Sequence, residues 1–133
     1  MQSSEIRLTT GREWAVDVSG EVARFVGEKG DGLCHVFLPH ATAGLALIEV
    51  GSGSEADLRE AVDRLLPRDH PYRHAHGSRG HGADHVLPAF VSPSLVLAVR
   101  EGRLVLGTWQ RVVVIDPNVD NPERTLLLHF LAG

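Results

Sequence analysis

The chain has 133 residues and a mass of 14.4 kDa, the size of one ordinary domain, and a chain this long buries roughly two-thirds of its unfolded surface. Hydrophobic residues make up 43% and charged residues 23%, globular usage that excludes a disordered or fibrous chain. A net charge of −4 with a pI near 6.0 leaves no electrostatic footprint for nucleic acid, and no apolar run approaches the ~20 residues of a membrane span.

The opening MQSSEIRLTT has no basic segment followed by an apolar one, so no signal peptide is expected. Ile6 and Leu8 alternate with Glu5 and Arg7, and Trp14, Val16 and Val18 alternate with Ala15 and Asp17, as in half-buried strands. Val22, Phe25 and Val26 then fall at helical spacing behind Ser19, a plausible N-cap. Leu33 to Leu38 and Ala43 to Val50 are two mostly apolar strands around Pro39-His40-Ala41-Thr42. The single cysteine, Cys34, can form no intrachain disulfide, and a reducing cytoplasm is the expected setting.

Ser54 can cap a helix from Glu55 to Leu66, with Leu58, Ala61, Val62, Leu65 and Leu66 on one face and Pro67 ending it. Residues 67–85, PRDHPYRHAHGSRGHGADH, show no apolar periodicity, and a loop of that length is usually functional or disordered. Ser94 to Val99 is a strand, Arg100-Glu101-Gly102-Arg103 a turn, and Leu104 to Gly107 the returning strand. Trp109 to Ile115 and Thr125 to Leu131 are two further apolar strands, separated by DPNVDNP. No repeat or linker interrupts the chain. The expectation is a single α+β domain spanning 1–133, with about eight mostly antiparallel strands and two or three helices.

Aromatic residues are only 5%, yet there are 8 histidines, and 5 of them lie between His70 and His85. Imidazole is the commonest neutral metal ligand and titrates near neutral pH. His70/His74 and His81/His85 are each spaced i, i+4, but Pro71, Gly77, Gly80 and Gly82 argue against a helix there. The spacing matches no standard zinc signature. The tract therefore reads either as a solvated loop or as a metal or acid–base site.

His40 ends an apolar strand and opens into Ala41-Thr42-Ala43-Gly44, where backbone N–H groups can approach an anion. Glu49 lies among Leu47, Ile48 and Val50, so its carboxylate points inward near that site and needs a partner. His35 and His129 read as strand histidines. Gly107-Thr108-Trp109-Gln110 reads as a turn with a core tryptophan, or as a pocket or interface segment. Strand alternation puts the Trp109 indole in the core, and Thr108 and Gln110 on the site or interface side.

Ser94-x-x-Leu97-x-Val99-x-x-Gly102-x4-Gly107-Thr108-Trp109-Gln110-x-Val112 resembles the signature of the YjbQ family, also called secondary thiamine-phosphate synthase enzymes. His40-Ala-Thr42-Ala-Gly-Leu is similar to the family's H-T-[ST]-A-x-L, and Ile48-Glu49-Val50 falls on its N-E-N. Asp57, Tyr72-Arg-His74 and Asp84-His85 fall on further landmarks, so the resemblance spans the chain. It implies one site built from His40, His74 and His85, holding a divalent metal (Zn or Mg), with Glu49 or Asp84 as acid–base partner. Thr42, Thr108, Trp109 and Gln110 would hold a small phosphorylated metabolite. The implied reaction joins a pyrimidine pyrophosphate to a thiazole phosphate as a secondary activity. The alternative is a metal- or small-anion-binding protein without catalysis. Either would be a homotrimer, and His70, His76 and His81 correspond to no family position. The chain departs from the family pattern at Ile48 and Val50, at Gly44, and at Leu87, where a lysine is expected.

Overall fold

The computed structural model describes residues 1–10 and 13–133. Among them, eight strands form two antiparallel sheets. The larger has the order β1-β8-β3-β5-β6, built from β1 (Gln2–Thr9), β3 (Gly32–Phe37), β5 (Ser94–Arg100), β6 (Arg103–Leu104) and β8 (Glu123–Ala132). The smaller has the order β2-β7-β4, from β2 (Ala15–Asp17), β4 (Gly44–Ile48) and β7 (Arg111–Ile115). Helices α1 (Ser19–Val26), α2 (Ser54–Leu65) and α3 (His81–Val86), with a 3-10 turn at Leu87–Ala89, complete the single α+β domain.

Period-two alternation drives the packing. Val36, Leu126, Leu128 and Phe130 of the large sheet face Val112 and Val114 of the small one, and Val22 and Val26 of α1 join them. A second cluster of Trp14, Val113, Ile115, Leu66, Ala83 and Leu87 lies on the other face of the small sheet, under α2 and α3. β7 is buried on both faces, which is why Val112 to Ile115 read as an unbroken apolar run.

The structure corrects several expectations. Ser19 is the first residue of α1, not its cap: its N–H reaches the Asp17 carboxylate, and its hydroxyl accepts the Val112 N–H at 2.7 Å. Ser54 likewise lies inside α2, after Gly53 at φ +101°, a conformation open to glycine. Only part of the apolar stripe of α2 is covered, since Leu58 and Val62 are half-buried whereas Ala61 and Leu65 are exposed. The Glu101-Gly102 turn forms as expected, with both φ positive (51° and 71°). The strand expected from Trp109 begins only at Arg111, and residues 81–86 form a helix where none was expected.

Candidate functional site

Residues 67–80 cross over the start of α3, and two features hold them there. Arg68 donates to the buried Asp84 carboxylate at 2.6 Å and to the Arg79 carbonyl at 3.0 Å. Gly82 is buried so closely under the loop that a Cβ would lie 2.5 Å from Tyr72 Cβ and 2.6 Å from the His74 carbonyl oxygen. Gly80 at φ +83° permits the turn into α3. The glycines that argue against a helix are thus its entry and its contact face.

This packing gathers imidazoles. His81 and His85 share one face of α3, and their Nε2 atoms are 3.0 Å apart. His74 packs on both, with ring centroids 5.1 Å and 4.2 Å away, and His76 lies 4.1 Å from His74. One ligand nitrogen from each of His74, His81 and His85 falls within 4.8 Å of the other two. His81 Nδ1 is 2.9 Å from Asp120 Oδ2, and Asp120 also accepts the Ser78 N–H and hydroxyl. The Ser78 hydrogen bonds, then His81, hold the Asp120 carboxyl below its usual range. An ionised Asp120 accepts the hydrogen bond of His81 Nδ1–H, which directs Nε2 toward His85.

Desolvation and then the neighbouring imidazoles hold His74 and His85 below the ordinary imidazole pKa, so both are neutral near pH 7. Three imidazole nitrogens gathered this closely are a donor set that suits a borderline-soft cation. The cluster is open to solvent, bordered by shallow concavities of about 260 and 580 Å³ carrying Arg79 and Arg73 at their edges.

His40 does not join this group within the chain. Its Nε2 accepts the Thr125 N–H at 2.8 Å and its Nδ1 faces Arg124, so neither ring nitrogen turns toward the other histidines. The Thr42 hydroxyl accepts from Arg124 Nη2 at 3.1 Å and is buried in that network. Glu49 is half-buried just beyond β4, with no hydrogen bond to the cluster among the described residues. Asp84, paired with Arg68 and hydrogen-bonded by Asn118, acts as an anchor.

Trp109 is corrected outright: it is 70% exposed, on a turn closed by the Gln110 side chain accepting the Gly107 N–H at 2.7 Å. Thr108 and Gln110 are exposed beside it. The alternation argument fails because 107–110 is not strand.

Residues missed at the sequence level are His81, Asp120, Asn118, Asp116 and Arg124. The i, i+4 spacing of His81 and His85 was the available signal for the first. For Asp116, Asn118 and Asp120 it was the density of carboxylates and amides in DPNVDNP, and for Arg124 the sequence offered none.

A family model described as UPF0047 protein YjbQ-like matches residues 4–133. The chain is similar to the UPF0047 protein Rv2556c of Mycobacterium tuberculosis, at 53% identity over 133 residues and the full length of both chains. A UPF0047 protein of Archaeoglobus fulgidus is 34% identical over 113 residues, covering 84% of this chain and 88% of that one. Among solved structures, hypothetical protein APE1520 from Aeropyrum pernix superposes with a TM-score of 0.88 at 31% identity over the whole of both chains. A YbjQ-like protein of unknown function from Sulfolobus solfataricus gives a TM-score of 0.88 at 27% identity, covering 99% of this chain and 97% of that one.

Proposed function

The chain belongs to the YjbQ-like UPF0047 family, and from that premise we propose that His74, His81 and His85 form a divalent-metal site serving chemistry on a small phosphorylated molecule. The observation that carries this is the convergence of three imidazole nitrogens within 4.8 Å. Asp120 fixes which nitrogen of His81 is offered. The donor set favours zinc over magnesium, because imidazole suits zinc whereas magnesium demands oxygen ligands.

When bound, zinc supplies Lewis acidity toward a phosphoryl oxygen. The chain's own part is to present the imidazoles of His74, His81 and His85, to orient His81 through Asp120, and to place Arg73 and Arg79 in the lining of the concavities, where they attract phosphate. The first activity to test is the thiamine-phosphate-synthase type, the joining of a pyrimidine pyrophosphate to a thiazole phosphate with loss of pyrophosphate. Elemental analysis of untagged protein, then turnover on those two substrates with and without zinc, tests the reading. Bound zinc with turnover supports it, and absence of metal affinity sinks it.

A second reading, metal binding without catalysis, draws on the openness of the site. His74 and His76 are exposed, and no enclosed cleft excludes water from them. Zinc bound without turnover would favour it.

The proposal includes self-association as a homotrimer. Val112 to Ile115 are fully buried and offer no apolar surface to a partner. The outer face of the large sheet takes that role instead, with exposed Leu33, Val96 and Leu131 around the stacked His35 and His129 and a groove of about 290 Å³. Cytoplasmic residence belongs to the same proposal. It is supported by Cys34, whose thiol is buried and pushed up to about 11 by that burial, and by the absence, among the described residues, of a helix long and apolar enough to cross a membrane.

A further inference from the structure

Arg124 projects from β8 into the interior and is 4% exposed. Its Nε donates to Asp116 Oδ2 at 2.7 Å, and its Nη2 donates to Asp116 Oδ1 at 3.2 Å and to the Thr42 hydroxyl at 3.1 Å. Asp116 is completed by the Thr10 hydroxyl and the Asn118 N–H. That leaves Nη1, with two N–H bonds. Among the described residues, the one polar atom within reach of Nη1 is His40 Nδ1, at 3.5 Å.

That contact is not a hydrogen bond. A backbone N–H only donates, so the Thr125 N–H at 2.8 Å must meet a bare lone pair on His40 Nε2. The proton of the neutral ring therefore sits on Nδ1, facing Arg124. Flipping the ring would set a C–H against the Thr125 N–H and is worse. Two donor atoms confront one another, and three N–H bonds meet no acceptor. A buried guanidinium is not left that way without cause. His40 is only half-buried, so the spot opens to solvent. One water accepts two hydrogens, whereas the oxygens of a phosphate offer lone pairs to all three.

We propose that His40 and Arg124 seat the oxygens of inorganic phosphate or of a phosphomonoester, with Thr42 and Asp116 holding the guanidinium in place. The seat is apart from the three-histidine cluster and does not depend on a metal there.

The test uses the full chain after chelator treatment, so that failure of the zinc reading cannot imitate failure of this one. Long-range proton–nitrogen NMR in phosphate-free buffer should show His40 protonated on Nδ1. Added inorganic phosphate should then shift the His40 and Arg124 side-chain resonances saturably. His40→Gln keeps an acceptor near the Nε2 position but loses the Nδ1 donor, and should bind phosphate roughly tenfold or more weakly. His40→Asn places an amide N–H near the Nδ1 position and should bind more tightly than His40→Gln. A proton on Nε2, no shift up to roughly 10 mM phosphate, or the reverse order of the two variants overturns the proposal. Should a variant fail to fold, the tautomer and the wild-type titration decide alone.

Discussion

His81 and Asp120 meet through an imidazole Nδ1 and a carboxylate oxygen 2.9 Å apart, and this bond decides which His81 nitrogen is free. Loss of such an orienting partner typically weakens metal affinity about 10–100-fold. Asp120→Asn should therefore weaken zinc binding by that order. The melting temperature of the metal-free protein should barely change, because Asp120 is exposed. Competition with a chromophoric chelator measures the first quantity and a thermal melt the second.

Replacement of single histidines separates the two polar centres. His81→Ala should abolish high-affinity zinc binding as completely as His74→Ala or His85→Ala, since each supplies one converging nitrogen. His40→Ala should leave zinc affinity unchanged, because its ring nitrogens face Thr125 and Arg124. Zinc loss in the His40 variant equal to that in the His81 variant would refute this division.

Stability should fall as the solution is acidified through the imidazole range. Burial, then the Arg124 guanidinium, holds folded His40 below the ordinary value of 6.5. The unfolded chain therefore binds the proton first as pH drops. The His40 contribution is complete above about pH 6.5 and is lost progressively below it. His74 and His85 are depressed too and act in the same sense. Urea midpoints of metal-free protein between about pH 7.5 and about pH 5.5 should decline, and His40→Gln should make that decline shallower. A flat profile contradicts the argument.

Trp109→Ala should cost little, within about 0.5 kcal/mol, as for exposed positions in general. Phe130→Ala, which empties the space between the sheets, should cost about 3–5 kcal/mol. Gln110→Ala removes the side chain that closes the 107–110 turn and should fall between them, near 1 kcal/mol. Denaturant titrations of the three variants give the order directly, and a Trp109 loss as large as that of Phe130 would return the indole to the core.

The strands were legible because burial leaves its mark on the order of residues: Ile6 and Leu8, Leu126 and Leu128, and the apolar run Val112 to Ile115 of β7 all lie in strands as expected. The Glu101-Gly102 turn was legible for a backbone reason. What failed was long-range. A glycine looks like a helix breaker until a neighbouring loop needs the space its missing Cβ leaves, as Tyr72 and His74 need it at Gly82. Alternation through Thr108-Trp109-Gln110 was sound arithmetic applied to a turn. His40 was singled out correctly as unusual. Its neighbours, Arg124 and Thr125, lie more than eighty positions away, and spacing along the chain carries no trace of them.

The connection from β7 to β8 has a consequence for what the protein tolerates. Asp116, Asn118 and Asp120 alternate like teeth on a ratchet. The first engages Arg124 and Thr10, the second Asp84 and the edge of His81, the third His81 and Ser78. The intervening Val119 is 61% exposed and open to substitution. Adding or deleting one residue between 116 and 120 is different in kind, because every tooth beyond the change would engage the wrong partner. This segment is therefore a spacer whose length is specified more tightly than its lettering, and both polar centres are set by the same count.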